Sequence, residues 1–244
     1  TSPGILGSCI CQDKAYTKEV LKSINVKVLD YITITNKNKL NLVKLTKDLK
    51  YPQIVKPAHL GSSIGISVVH SQDELIKEIQ KAFVYDNKVL VEQFLENFQE
   101  YNIAVYKRKD KLITSSIEIV KKENEIFDFN EKYINHHKQY NHKYLKDEEL
   151  IKKINEIVVK TYEHLELNGI VRFDFIEKDE LYLNEINTIP GALSNYLFKE
   201  KDLSFSVLID EQIKEAIYTF NKKNQLIKTF NSSVLNNTSK IIKK

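Results

Sequence analysis

The residues with the clearest chemical potential lie near the carboxyl end of the chain, between Arg172 and Gly191. Apolar and polar residues alternate there on both sides of a short polar turn, which predicts two β-strands joined as a hairpin. Side chains two apart on a strand share a face, so Arg172 falls beside Asp174, and Glu185 falls beside Asn187. Two carboxylates and an amide oxygen suit a divalent cation such as Mg²⁺ that also binds phosphate oxygens. The simpler alternative is an edge hairpin whose charged side chains are only solvated.

A glycine-containing loop between two predicted strands is a second candidate site. The strands span residues 53–57 and 66–69, and two of the six glycines in the chain bracket the loop between them. Glycine permits backbone conformations that a Cβ atom disfavours and lets amide groups approach a phosphate, while serine hydroxyls add donors. No Gly-Lys-Ser/Thr run precedes a helix here, so this is not a Walker loop. A phosphate-binding loop and a flexible hairpin turn remain the alternatives for Gly61, Ser62, Ser63 and Gly65.

Charged residues on neighbouring elements could complete such a site. Lys56 lies in an apolar strand, where an ammonium group is costly unless it finds an anion such as a phosphate. Lys14, on a predicted helix, is a weaker candidate because helix lysines are usually solvated. Glu92 ends a strand and is followed by Leu95 and Glu100. A carboxylate at such a junction can accept hydrogen bonds from adenine or ribose, and the alternative is an ordinary surface acid.

The elements that must position these residues mix helices and strands. Asp13 is a candidate N-cap. Helical periodicity predicts helices over residues 11–24, 37–49, 72–83, 147–165 and 204–220. Alternation with a period of two predicts strands, besides the hairpin, over residues 26–34, 53–57, 66–69, 88–94, 101–108 and 112–120. This mixture, with antiparallel pairs, indicates an α+β fold.

Residues 121–146 form a long polar and aromatic stretch that fits no single element. Loops of this length are usually functional lids or disordered segments. The spacing of its histidines, His136, His137 and His142, fits neither helix nor strand geometry for a metal site. We therefore interpret them as solvated loop residues.

Composition restricts the class of protein. The 244 residues contain no apolar run long enough to cross a bilayer, so we expect no membrane partner. Six of the 37 basic residues fall within residues 221–244; the other 31 face 33 acidic residues, so we expect no nucleic-acid partner. Cys9 and Cys11 suit neither a disulfide nor a zinc site, which is typical of a reducing cytoplasm. The chain lacks methionine and begins with a loop-like Thr-Ser-Pro-Gly, so we expect another segment to precede it.

Three motifs follow one another in order, within residues 54–65, 89–95 and 172–191. They read Ile-Val-Lys-Pro followed by Gly-Ser-Ser-Ile-Gly, Val-Leu-Val-Glu-Gln-Phe-Leu, and Arg-Phe-Asp followed by Asn-Glu-Ile-Asn-Thr-Ile-Pro-Gly. Together they resemble the ATP-grasp ligases, most of all the D-alanine–D-alanine ligase group, over most of the chain. The resemblance implies an ATP-grasp fold in which the antiparallel sheets of two α+β subdomains sandwich ATP, with the family's N-terminal domain missing.

The resemblance also implies a division of the chain. Residues 1–12 would be a remnant or linker of the missing domain, 13–95 the central small subdomain, and 96–220 the C-terminal subdomain with a lid loop at 121–146. Residues 221–244 would form a polar, basic tail. A homodimer is the usual assembly in the family and is implied in the same way.

The family's binding roles fall on residues already singled out. Those implied for ATP are Lys14, Lys56 and the mobile loop of Gly61, Ser62, Ser63 and Gly65 for the phosphates, Glu92 and Leu95 for adenine, and Glu100 for ribose. Those implied for two Mg²⁺ ions, or for Mn²⁺ in their place, are Asp174, Glu185 and Asn187.

The implied reaction has two steps. ATP phosphorylates the carboxylate of one D-alanine, and the amine of a second amino acid then displaces phosphate to give a dipeptide for peptidoglycan, and hence for the cell wall and cell shape. Ser62 in the loop would close over the transferred phosphate. Arg172 and the Gly191 amide would stabilise the tetrahedral intermediate. Lys132 and Tyr133 match the lid motif, whose lysine would reach the transferred phosphate or a substrate carboxylate.

One departure leaves the acceptor open. After Gly191 the family commonly shows Thr-Ser-x-Ser, whose second serine grips the acceptor carboxylate. Here the run is Ala-Leu-Ser194-Asn-Tyr196, so Ser194 and Tyr196 are the substrate-binding candidates and a bulkier phenol takes that serine's place. Three hypotheses follow: a D-alanine–D-alanine ligase, an ATP-grasp ligase with a different acceptor amine, and a nucleotide-binding module without turnover.

Overall fold

Two antiparallel sheets with helices packed on them make up the part of the chain that the structure describes. The structure is a computed structural model and describes residues 2–35, 48–120, 142–201, 203–227 and 229. The helices are α1 (Ile5–Gln12), α2 (Lys14–Ser23), α3 (Gln72–Tyr85), α4 (Glu148–His164) and α5 (Phe205–Asn224), with a 3₁₀ segment at Gly191–Lys201. The strands are β1 (Tyr31–Thr35), β2 (Gln53–Pro57), β3 (Ser67–Val69), β4 (Lys88–Gln93), β5 (Gln99–Arg108), β6 (Lys111–Thr114), β7 (Glu118–Val120), β8 (Lys143–Tyr144), β9 (Val171–Glu177) and β10 (Leu181–Asn187).

The first sheet has the strand order β1-β4-β2-β3. Helix α3 covers one face with Leu75, Ile79 and Ala82, whose spacing places them on one side of the helix. The Ser71 side chain caps the helix by accepting from the Glu74 amide. This small layer presents the loop between β2 and β3 at one edge.

The second sheet has the order β10-β9-β5-β7-β8, with β6 paired to β5. Adjacent residues of β5 face opposite sides: Ile103 and Val105 enter the larger core with α4, while Ala104 and Tyr106 pack with the 3₁₀ segment. Both faces of the sheet are therefore covered.

The first two helices pack on the second sheet. Cys11 and Leu21, with Val26 and Val28 after them, belong to the larger core. The Leu183 amide donates to the Lys27 carbonyl at 3.0 Å, which ties the segment to β10. This packing places the start of α2 beside the hairpin, and the domain boundaries given above stay predictions.

The hairpin of β9 and β10 forms as predicted. Asp174 lies directly opposite Glu185, and Arg172 lies opposite Asn187. A β-bulge shifts the register between Leu183 and Glu185. The described strand pairs are all antiparallel, and together with the helices they confirm the α+β prediction.

Three predicted elements differ from the structure. The helix predicted over residues 11–24 is two helices, because Asp13 leaves the helical conformation and accepts from the amides of Ala15 and Tyr16. The strand predicted over 26–34 begins only at Tyr31. The strand predicted over 112–120 is two strands, and between them the hydroxyl of Ser115 accepts from the Ala104 amide at 2.9 Å.

Two predicted features fall largely outside the described residues. These are the helix predicted over residues 37–49 and most of the loop at 121–146. Among the helices that the structure describes, none combines the length and apolar character needed to cross a membrane.

The glycine-containing loop gives a test of backbone strain. Gly65 has φ +71°, and an added Cβ would lie 2.9 Å from Pro57 Cγ. We expect Gly65→Ala to lower the free energy of unfolding by at least about 1 kcal/mol, measured by urea denaturation. Gly61→Ala is the matched control, since its Cβ would meet no atom within 4 Å. Equal stability of the two variants would contradict the strain described for Gly65.

Candidate active site

The hairpin gathers its polar side chains around Asp174. Arg172 donates to both oxygens of this buried carboxylate, from Nε at 2.7 Å and from Nη2 at 2.8 Å. The Asn187 amide nitrogen also donates to Asp174 Oδ2, at 2.8 Å. Burial alone would lower the pKa of the Arg172 guanidinium, but the charge of Asp174 outweighs burial and raises that pKa. Arg172 is therefore a permanently charged group held in a fixed orientation.

Glu185 lies across the hairpin from Asp174 and is more open. About 37% of its side chain is exposed, and its Oε1 lies 3.9 Å from the ammonium nitrogen of Lys14. The oxygens of Asp174, Glu185 and Asn187 form a hard donor set of the kind that Mg²⁺ or Mn²⁺ takes while sharing phosphate oxygens. Within the described residues no three His, Cys, Asp or Glu side chains cluster as a metal site, so the fit rests on these two carboxylates with an amide.

Lys14 joins the loop to the hairpin. Its ammonium donates to the Leu60 carbonyl, just before Gly61, and its backbone amide donates to the Ala58 carbonyl at 3.0 Å. Burial lowers the pKa of the Lys14 ammonium, and the nearby charge of Glu185 opposes that effect. A buried ammonium between a loop and a carboxylate is well placed to attract an anion.

The loop itself folds through left-handed backbone conformations. Ser62 has φ 56° and Ser63 has φ 58°, like Gly65 in sign. Gly61 is exposed, and the other three are partly exposed. The loop therefore remains accessible from solvent beside Lys14.

Glu92 is fully buried, which the sequence did not predict. Its Oε1 lies 2.6 Å from the Lys18 ammonium, and its Oε2 accepts from the Lys56 ammonium. Burial raises the pKa of this carboxyl, but the two lysines outweigh burial and hold the pKa at about 2. The alternative that Glu92 is an ordinary surface acid is therefore wrong, because the carboxylate is buried between two lysines. The predicted place of Glu92 beside adenine stays a prediction.

Lys18 is the partner that the sequence reasoning missed. It follows Lys14 by four residues, and residues so spaced lie on one helix face. The spacing of four residues between Lys14 and Lys18 was the sequence signal that could have identified Lys18. Lys56, for which the sequence predicted a phosphate partner, pairs with Glu92 in the structure, and its role at a phosphate stays a prediction.

The remaining nucleotide candidates lie where the first sheet leads into the second. Leu95 is partly buried between β4 and β5, beside the edge-to-face pair of Phe94 and Phe98, whose ring centroids are 6.3 Å apart. Glu100 is partly buried on β5, opposite Val120. Their roles stay predictions.

Tyr196 belongs to a second polar cluster. Its hydroxyl donates to Glu118 Oε2 at 3.1 Å, and His142 Nδ1 lies 2.5 Å from Glu118 Oε1. The rings of His142 and Tyr196 stack with centroids 4.7 Å apart. Burial, with the charge of Glu118, raises the pKa of Tyr196, so the phenol keeps its proton. His142 is thus a packed residue, not a solvated one as predicted, and no sequence spacing marked Glu118.

The turn after Pro190 is backbone-strained. Ala192, Leu193 and Ser194 all have φ near +50°. Gly191 is exposed at its start, whereas Ser194 is fully buried, and its hydroxyl has no hydrogen-bond partner among the described residues. The structure therefore brings Gly191 and Tyr196, but not Ser194, to an accessible position. Lys132 and Tyr133 lie outside the described residues.

The ion pairs of Glu92 predict a pH dependence. A carboxyl whose pKa falls from 4.5 to about 2 on folding contributes about 3 kcal/mol above pH 4.5, and this contribution is lost as the pH falls toward 2. We expect Glu92→Gln to lack this part of the slope in urea-unfolding free energies taken between about pH 5 and pH 2. Glu96→Gln, the exposed control, should show the same pH dependence of the unfolding free energy as the unmodified chain. If Glu92→Gln also showed that pH dependence, the ion-pair account would be refuted.

Comparison with known proteins gives the family. The family model described as D-ala D-ala ligase C-terminus matches residues 20–215. The D-alanine–D-alanine ligase of Thermosipho africanus is 38% identical over 96% of this chain and 65% of its own length. That of Thermosipho melanesiensis is 40% identical over 88% of this chain and 60% of its own length. The chain thus spans somewhat less than two thirds of these relatives.

Solved structures agree. The D-alanine–D-alanine ligase of Helicobacter pylori superposes with a TM-score of 0.72 at 34% identity, over 87% of this chain and 61% of that one. The VanG D-Ala:D-Ser ligase of Enterococcus faecalis gives 0.74 at 29% identity, over 87% and 64%. Since the matched region covers most of the sequence, the chain belongs to the D-alanine–D-alanine ligase family and has its ATP-grasp fold.

Proposed function

We propose that this chain is the ATP-binding, catalytic part of an ATP-dependent, ADP-forming D-alanine–D-alanine ligase. The observation that carries the proposal is the meeting of Lys14, the loop base at Leu60, and Glu185 at one place. An ammonium between an amide-rich loop and a carboxylate suited to a metal is what a bound triphosphate requires. The relatives' names support the same reaction.

The reaction begins with phosphoryl transfer from ATP to the carboxylate of a first D-alanine, which gives an acylphosphate and ADP. The amine of a second amino acid then attacks the acyl carbon, and phosphate leaves. Lys14 and Lys56 offset the negative charge of the phosphates, and the loop at residues 61–65 excludes water that would hydrolyse the acylphosphate. Asp174, Glu185 and Asn187 would hold Mg²⁺ or Mn²⁺, which would supply positive charge to offset the charge of the phosphates.

Arg172 serves the second step. A guanidinium has five N–H donors, and Asp174 takes two of them. The others, with the Gly191 amide, stabilise the oxyanion that forms as the amine adds to the acyl carbon. Because Asp174 fixes the guanidinium beforehand, little reorganisation is needed when this charge develops.

A ligase with a different acceptor amine is the second candidate. The specific observation in its favour is the Tyr196–Glu118–His142 cluster, where the family commonly carries a serine. The solved neighbour titled a D-Ala:D-Ser ligase supports variation of the acceptor within this fold.

The proposal includes the wider setting of the reaction. We place it in the cytoplasm, as a step in peptidoglycan precursor synthesis carried out by a homodimer. The small and C-terminal subdomains are residues 13–95 and 96–220. The lid loop predicted over residues 121–146, with Lys132 and Tyr133, is part of the proposal, and most of it lies outside the described residues.

Glu185→Gln tests the metal assignment. It preserves side-chain volume but removes one negative charge, so we expect phosphate release to fall by at least about a hundredfold with an unchanged melting temperature. The assay supplies ATP, Mg²⁺ and a panel of D- and L-amino acids to the chain and to a version extended at its N-terminus.

Glu180→Gln, in the turn of the same hairpin, is the control and should leave turnover within about twofold. Near-normal turnover of Glu185→Gln would rule out its role at the metal. Phosphate release with D-alanine alone supports the first candidate, and release only with another amine supports the second. Bound ATP without release from either version would leave a nucleotide-binding module.

Tyr196→Phe tests the acceptor site. It keeps the ring that stacks on His142 and removes the hydroxyl that donates to Glu118. We expect the KM for the second amino acid to rise about fivefold while the KM for ATP stays unchanged, both from initial-rate kinetics. Tyr218→Phe removes an exposed phenol–carboxylate bond to Asp110 and should change neither constant. Parallel changes in both constants would argue against an acceptor role.

A further inference from the structure

The segment that leads into the glycine-containing loop carries a histidine that none of the roles above uses. Nδ1 of His59 lies 3.0 Å from both carboxylate oxygens of Asp86, and Nε2 lies 3.0 Å from Asp13 Oδ2. The His59 backbone amide also donates to Asp86, at 2.8 Å. Each ring nitrogen faces a carboxylate, and an imidazole donates from both nitrogens only when both carry a proton.

The two carboxylates belong to separate elements. Asp13 is the N-cap of α2, and Asp86 follows α3 and accepts from the Lys88 amide at 3.1 Å. The Lys88 ammonium donates to Asp13 at 2.5 Å. The partly buried cluster therefore joins one imidazole, two carboxylates and the Lys88 ammonium, with the Lys14 ammonium beside it.

The pKa values of the two carboxyl groups are shifted in the direction that this arrangement requires. Burial raises the pKa of Asp13 and of Asp86, but the hydrogen bonds and charges of Lys88 and His59 outweigh burial, and both pKa values are lowered. Both carboxylates therefore stay ionised at neutral pH and can accept hydrogen bonds from the ring of His59.

The cluster lies directly under the loop. Gln12, at the end of α1, donates to the His59 carbonyl, and Lys14 donates to the carbonyl of Leu60. Residues 58–60 therefore contact the start of α2, beside the Lys14 ammonium that is proposed to bind phosphate. A shift of His59 would move both the loop base and the surroundings of Lys14.

We propose that His59, which bonds to Asp86 and Asp13 through its two ring nitrogens, is a positioning residue that fixes the base of the phosphate loop to the start of α2. Its role in ATP binding rests on the proposed function, whereas its role in ordering residues 58–65 does not. The charged and polar groups facing it are Gln12 from α1, Asp13 and Lys14 from α2, Asp86 after α3, and Lys88 from β4.

Hydrogen–deuterium exchange of the nucleotide-free chain tests the ordering directly. Exchange of residues 58–65 in each variant is compared with that in the unmodified chain at one pH, with residues 171–177 as the internal reference. We expect His59→Asn to lose about three- to tenfold protection in the loop, because its shorter side chain does not reach both carboxylates. His59→Arg should stay protected, since a guanidinium reaches two carboxylates.

His70→Asn is the matched control, because His70 is exposed and its backbone amide, not its ring, donates to Glu74 in the part of the chain that the structure describes. It should behave as the unmodified chain. Loop exchange in His59→Asn equal to that of His70→Asn overturns the proposal.

ATP affinity gives the second measurement. Titration of Mg²⁺-ATP should show weaker binding by about three- to tenfold in His59→Asn, with recovery in His59→Arg. Altered exchange with unchanged affinity would overturn the role of His59 in ATP binding while leaving its role in ordering residues 58–65 and the ligase proposal intact. Absence of ligase turnover with the expected exchange and affinity changes would reject the ligase reaction alone.

Discussion

The structure depends on a carboxylate that has no contact with water. Glu92 belongs to the first sheet, Lys56 to its neighbouring strand, and Lys18 to a helix that packs on the second sheet. Removing three charges from water is costly, and only close mutual pairing offsets that cost. This pairing therefore couples the position of α2 to the first sheet, and through α2 it sets where Lys14 stands.

The hairpin of β9 and β10 brings opposite charges together and still leaves one carboxylate open to a ligand. Antiparallel pairing puts Asp174 across from Glu185 and Arg172 across from Asn187, so the arrangement follows from register alone. Arg172 holds Asp174 from the same strand, while Glu185 stays partly open beside Lys14. Asp174, which orients Arg172, is buried, whereas Glu185, which would face a ligand, stays partly exposed.

Local patterns of the sequence predicted the hairpin, the loop, α3 and α4, because each depends on residues close together in the chain. The cap at Asp13 was predicted for the same reason, although the helix before it was not. The pairing of Glu92 with Lys18, of His59 with Asp86, and of Tyr196 with Glu118 joins residues tens of positions apart. Such pairs depend on how the sheets and helices pack, and no periodicity marks them. A buried acid and a surface acid look alike in sequence, which is why Glu92 was misread.

The β-bulge beside Glu185 changes how many polar side chains the β9–β10 hairpin places near Asp174. In a regular ladder one residue of β10 would stand opposite Asp174, whereas a bulge places two residues, Asn184 and Glu185, against one. It also resets the alternation, so that Leu183 and Ile186, three positions apart, both enter the core. Strand β10 thereby places two oxygen-bearing side chains, not one, opposite Asp174. Leu183 and Ile186, on either side of them, stay packed in the core.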